Sequence, residues 1–409
     1  MTFLHTRLDN GLTVIGEHSP ESESMACGYF VKTGSRDETP EVLGVSHFLE
    51  HMMFKGTPRR SPEDVNREFD ELGAQYNAFT SEESTVYFGR VLPEFQPRLL
   101  DLLTDMMRPS LRVEDFDTEK NVILEEIARY DDMPAFDAHV LAREATFGAH
   151  PLGHRVLGTK QSITDMARDD MHAYFARRYS PGNMVLAFSG AFDWDAAIEQ
   201  VSEGTAAWEQ YDVSRDVAPP AYAKGRRVVS NDRLSRVHLV WMSRAPSTQD
   251  ESRYAAHIAA SVVGDEVGSR VYWELVDPGI VDEASLYYNE EDNAGVFSTY
   301  ASCSPENVGE VVERMERLLR AAGDDGVRAE EVARAKQKIA SGEVLGSETP
   351  MGRLVPLGMA WTYRREYVGM DEAVDRILGS TVDEVSAVLA EGDVGSHSLL
   401  ALGPIAAID

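Results

Sequence analysis

Apolar residues recur along this chain in two rhythms. Short alternating or solid apolar stretches at Leu12–Ile15, Ala26–Lys32, Tyr76–Thr80, Ser84–Val91 and Val237–Met242 predict strands. Longer stretches with apolar residues at helical spacing predict helices over Glu114–Tyr130, Ala135–Phe147, Ile163–Arg178, Asn307–Ala322, Ala329–Gly342 and Val382–Ala390. Ser61 followed by Pro62 marks another helix start, and Gly73 marks its end. Strands and helices interleave throughout, which predicts an α+β chain.

The rhythm lapses between Val213 and Arg227, where Pro219-Pro220 and Gly225 read as a linker. The expected domains are therefore 1–212, a linker 213–227, and 228–409. The two parts repeat a pattern. In each, a strand leads through a polar loop into an apolar helix that carries a histidine. Phe30 to His47 and Val240 to His257 are both intervals of 17 residues. The second copy has no Glu and no second His in the turn after His257. Two related lobes with one chemical site are the expectation, each a mainly antiparallel sheet packed with helices.

Composition narrows the class. The 409 residues are 43% hydrophobic, which is globular. No apolar run reaches the ~18 residues of a membrane span. Met1–Asn10 lacks the apolar core of a signal peptide, so the expected compartment is the cytoplasm. The formal net charge of −30 speaks against nucleic acid as partner. The two cysteines, Cys27 and Cys303, have no Cys or His at ligand spacing and read as small core side chains.

The chemistry concentrates in one helix. His47 and His51 are one turn apart and share a face, with Glu50 beside them. Val45, Phe48, Leu49, Met52, Met53 and Phe54 surround these polar groups, so the helix is expected to be buried and its imidazoles to need a partner. Two imidazoles and one carboxylate suit zinc with a fourth position for water, and Glu50 is placed as general base. In Glu114–Tyr130, Glu119 and Glu126 share the apolar stripe of Val122, Ile123 and Ile127. Glu126, between the two isoleucines, is expected as third ligand. Glu119 is expected to orient a ligand or the water. His139, His150 and His154 are rival ligands, of which His150 and His154 sit in a Pro-Gly loop and read more simply as turn or surface histidines.

The order His-x-x-Glu-His is the inverzincin pattern. With Met52-Met-Phe-Lys-Gly-Thr57 after it, the segment resembles the pitrilysin and mitochondrial-processing-peptidase family. Glu119-Lys-Asn-Val-Ile-Leu-Glu-Glu126, ending 75 residues after His51, resembles the segment bearing that family's third ligand. His150–Gly158, Tyr179–Leu186, Gly268–Tyr272 and Ser304–Asn307 extend the likeness into both parts. The resemblance implies a zinc endopeptidase with one Zn2+ per chain, forming half of a clamshell. It implies that unfolded or presequence-like peptides add as a β-strand at Asn77, Ala78 and Phe79. It also implies an Arg and a Tyr from the second lobe, but those positions here are Leu275 or Val276, and Asp282. Arg270, Tyr287 and Tyr288 stand at the wrong spacing to replace them. The expectation is thus a heterodimer whose related partner subunit supplies Arg and Tyr, with a homodimer as second choice. The alternative is a non-catalytic scaffold or chaperone-like subunit that keeps the fold.

Overall fold

A computed structural model describes residues 1–215 and 217–408. They form two compact units. The first comprises Met1–Ile127, His154–Asp216 and Leu345–Val368. The second comprises Ala128–Gly153, Val217–Val344 and Gly369–Asp409.

The first unit is built on six strands: β1 (Thr2–Arg7), β2 (Thr13–His18), β3 (Met25–Val31), β4 (Gln75–Thr80), β5 (Thr85–Val91) and β6 (Met184–Gly190). Their order across the sheet is β1-β2-β6-β3-β5-β4, antiparallel except for β2 and β6. The second unit has β7 (Gly225–Ser230), β8 (Val237–Arg244), β9 (Glu283–Glu291), β10 (Ala294–Cys303) and β11 (Ser398–Gly403). They run β7-β11-β8-β10-β9, antiparallel except for β7 and β11. Without β1 the two sheets correspond strand for strand, including the single parallel pair. The molecule is α+β with two related units. Residues 225–227, expected as the end of the linker, begin β7.

Both faces of the first sheet are covered, which is why β3 is buried along its whole length. On one face lie helices α1 (Val45–Met53) and α2 (Val113–Asp131). Phe48, Leu49, Met52, Ile123 and Ile127 join Tyr29 and Tyr87 in that core. Phe48 stacks on Phe116 at 4.8 Å and 12°, which fixes α1 against α2. On the other face, Leu354 and Leu357 of the helix Pro350–Arg364 pack on Ile15, Phe30, Val86 and Ala187. A Cβ at Gly358 would stand 2.3 Å from Phe30 Cζ, so only glycine allows this approach. The second unit mirrors the arrangement with a helix from early in the chain. Ala138, Leu141 and Ala142 of Pro134–Phe147 pack on Val240, Met242, Val296 and Leu400. Phe30 and Val240, matched in the sequence repeat, thus each lie under a helix drawn from the opposite part of the chain.

Two expectations fail locally. The helix expected over Ile163–Arg178 is two helices, Lys160–Asp165 and Arg168–Arg178. Met166 and Ala167 between them are extended, with ψ of 127° and 146°. Lys120 Nζ donates to the carbonyls of Thr164 (3.0 Å) and Met166 (2.8 Å) there, so the break leaves no bare acceptor at those two positions. The helix Pro350–Arg364 was not expected, because Pro356 and two glycines interrupt its pattern. Among the described residues no helix is long and apolar enough to cross a membrane.

Candidate metal centre

The centre starts from the way α1 is held. Gly44, just before its first residue, has φ +90°, and a Cβ there would meet Leu157 O at 2.8 Å. Helix N-termini leave backbone N–H groups open. Here the buried Glu38 accepts from Gly44 N (2.6 Å) and Ser46 N (2.8 Å). Ser46 Oγ also bonds Tyr174 OH (2.8 Å), which bonds Thr33 Oγ1 (2.7 Å). Burial pushes the Glu38 carboxyl up to about 7, against the backbone donors that favour its charged form.

One turn into this fixed helix, His47 and His51 lie with ring centroids 4.7 Å apart. Glu126 comes from α2, held between the buried Ile123 and Ile127. Its Oε2 lies 3.3 Å from His51 Nε2 and 3.7 Å from His47 Nε2. One ligand atom of each of the three residues falls within 4.8 Å of the others, and among the described residues this is the only such group of three or more. Glu119 Oε1 lies 2.8 Å from His51 Nδ1, and its Oε2 pairs with Lys55 Nζ at 2.7 Å. Glu50 accepts from Thr80 Oγ1 at 2.6 Å.

The electrostatics follow from burial and neighbours. His47 is pushed down to about 4, first by burial and then by His51. Burial also opposes charge on His51, but hydrogen bonds to Glu119 and Glu126 outweigh it and raise its pKa to about 9. Glu50 is raised by burial, with Thr80 opposing. Burial acts to raise Glu119, yet His51 and Lys55 hold it below the usual carboxylate range.

These donors fit zinc. A tetrahedral ion with ligands at about 2.1 Å holds its donor atoms about 3.4 Å apart. The Glu126 oxygen meets the two imidazole nitrogens at 3.3 and 3.7 Å, the longer of which is no hydrogen bond. Nitrogen and carboxylate donors of this type suit zinc. The second nitrogen of His51 is engaged by a carboxylate, an arrangement common at zinc sites.

Asn77, Ala78 and Phe79 lie on β4, the edge of the first sheet, which pairs with β5 alone. β4 packs on α1, and its last residue is Thr80. The rival histidines are engaged elsewhere. His139 Nδ1 bonds Ala135 O, His150 Nε2 bonds Ala218 O, and His154 Nδ1 bonds Ser35 O. In the second unit, Asp282 pairs with Arg236, and Leu275 is fully buried. Arg270 is held by Glu331 and Gly326 O, and Tyr288 donates to Pro246 O. Glu38, Lys55 and Thr80 were missed. Only Lys55 had a signal, one turn beyond His51 on the same helical path.

Two related α+β units, one carrying a His-His-Glu cluster, are the class that the geometry defines. The insulinase model of peptidase family M16 matches residues 13–160, and the peptidase M16 inactive-domain model matches 165–339. An uncharacterized zinc protease of Streptomyces coelicolor is 31% identical over 99% of this chain and 90% of its own. An uncharacterized zinc protease of Bacillus subtilis, YmxG, is 28% identical over 97% of each. In fold, the chain is similar to a protease from Helicobacter pylori, with a TM-score of 0.90, 19% identity, and 98% and 99% of the two chains covered. The chain belongs to peptidase family M16.

Proposed function

We propose that this chain is a zinc-dependent endopeptidase that cleaves unfolded or presequence-like peptides held as an added strand on β4. In this reading His47, His51 and Glu126 hold one zinc ion. When bound, zinc acts as a Lewis acid toward a peptide carbonyl and makes water acidic enough to ionise near neutrality. Glu50 takes the proton of the attacking water and hands it to the leaving amine. Burial supports this role by raising its pKa toward the working range. Glu119 holds the ring of His51, and Lys55 keeps Glu119 charged. The main chain of Asn77, Ala78 and Phe79 pairs with the substrate. The observation that carries the reading is the convergence of three ligand atoms from two helices beside Glu50, with Glu50 bonded to the end of an edge strand. Chelation should abolish cleavage of an unstructured peptide, and added zinc should restore it. Cleavage that persists in the metal-free chain would refute the reading.

The zinc-bearing chain works in the cytoplasm beside a related subunit that supplies an Arg and a Tyr, with a homodimer as second choice. Leu275 or Val276, and Asp282, where those side chains are expected, support this. Size and composition of the native complex test it. A chain purified alone that cleaves as fast as any complex would overturn it. The same two positions, with the match to an inactive-domain model, favour the second reading of a non-catalytic scaffold or chaperone-like subunit. That reading expects no cleavage with zinc bound, alone or in complex.

A further inference from the structure

We infer that, on the peptidase reading above, Arg215 is a positioning residue for cleavage, fixing the turn after β4 and with it the contact of Thr80 with Glu50. Arg215 falls in the stretch expected as linker, yet it belongs to the first unit and its side chain is only 4% exposed.

Its guanidinium grips two loops at once. Nε and Nη2 donate to the Asp37 carboxylate at 2.9 and 2.6 Å, and Nη2 also donates to the carbonyl of Glu83 at 2.5 Å. Tyr363 lies on another side, its ring centre 6.0 Å from Arg215 Cζ and its hydroxyl bonded to Ser84 Oγ. Glu83 and Ser84 belong to the turn between β4 and β5, which closes with Ser81 N donating to Ser84 O at 2.8 Å. Immediately before that turn stands Thr80, the donor to Glu50. Asp37 leads the other way. It pairs with Arg178 at 2.7 Å, and Arg178 Nε donates to Thr33 Oγ1 at 3.1 Å. Thr33 and Ser46 both bond the hydroxyl of Tyr174, and Ser46 precedes His47. One side chain thus ties the edge strand to the helix that bears both histidines.

Stability alone does not call for Arg215. Glu83 already meets Arg36 at 2.6 Å, and Asp37 meets Arg178, so each acid keeps an arginine without it. A further buried guanidinium adds a desolvation cost that an apolar residue avoids. What it supplies is geometry, since a planar guanidinium joined to a carboxylate and a carbonyl fixes direction as well as distance. A misplacement of ~1 Å near a reacting centre can cost about 10²-fold in rate. Asn77, Ala78 and Phe79 are held by their own pairing with β5. The influence of Arg215 therefore falls on the placement of Glu50, in kcat rather than KM.

The zinc-loaded parent should be compared with Arg215→Met, Thr80→Val and the double variant, each in the native complex. Arg215→Met should lower kcat about 10–100-fold with KM within about threefold and zinc content unchanged. The double variant should be no slower than Thr80→Val, because both substitutions break the same contact. Hydrogen exchange should quicken at the bonded amides of Arg36 and Ser81 and stay unchanged in helix Gln96–Met106. Should Arg215→Met fail to fold, Arg215→Lys keeps the charge but loses the planar fork, and the same pattern is expected of it. Losses that multiply in the double variant would overturn the inference, because a merely structural role behaves that way. So would a variant that turns over like the parent, or one whose loss lies in KM. A parent complex that cleaves no peptide would overturn the peptidase reading and this one together. A cleaving parent with an indifferent Arg215 variant overturns this one alone.

Discussion

Helix Val45–Met53 in one unit and helix Arg253–Gly264 in the other hold matching places after matching strands, and they carry His47 and His257 at the same interval. One turn later the first has Glu50 and His51, while the second has Ala260 and Ser261. The second helix is still well packed, with Ala255, Ala256, Ile258 and Ala259 buried. This architecture therefore does not require polar residues at those positions. In the first unit they bring two imidazoles and three carboxylates together in a poorly hydrated place, at a cost that apolar residues avoid. Groups retained against such a cost are best explained by chemistry.

The largest effect should come from Glu50→Gln, which keeps the side chain's shape and removes its basicity. Turnover should fall about 10²–10⁴-fold with zinc content unchanged. Unaltered turnover would make Glu50 as dispensable as Ala260. Second is the cap of α1, which the loop acid Glu38 supplies by accepting from Gly44 N and Ser46 N, whereas Ser252 before the matching helix makes no side-chain cap bond. Glu38 titrates near 7 in the folded chain, above the usual 4.5. Its stabilising contribution is complete below pH 4.5 and fades as pH rises through 7. Glu38→Gln should erase this fade. The difference in unfolding free energy between variant and parent should then drift by about 3 kcal/mol across that window in urea melts. Third, Glu119→Ala should lower zinc affinity about 10–100-fold by freeing the ring of His51, measured by competition with a chelator.

The cluster His47, His51 and Glu126, with Glu119 beside it, was legible because a buried amphipathic helix exposes its polar exceptions, and all four break an apolar stripe. Glu38 and Thr80 broke none. Glu38 is a loop acid that reaches α1 only through the fold, and Thr80 meets Glu50 across a sheet edge. Sheet order was legible only as a repeat, since strand pairing joins residues far apart, such as β2 with β6. The helix Pro350–Arg364 stayed hidden because packing on Phe30 selected a glycine at 358, and Pro356 looked like a terminator.

The origin of that helix bears on any attempt to cut the molecule down. A fragment severed at residue 212 would retain His47, His51 and Glu126 but lose Leu354 and Leu357, leaving Phe30, Val86 and Ala187 facing solvent. The remainder would lose Ala138 and Leu141 from above Val240. Neither piece could be made alone without an uncovered, aggregation-prone sheet, so each half of the chain completes the fold of the other.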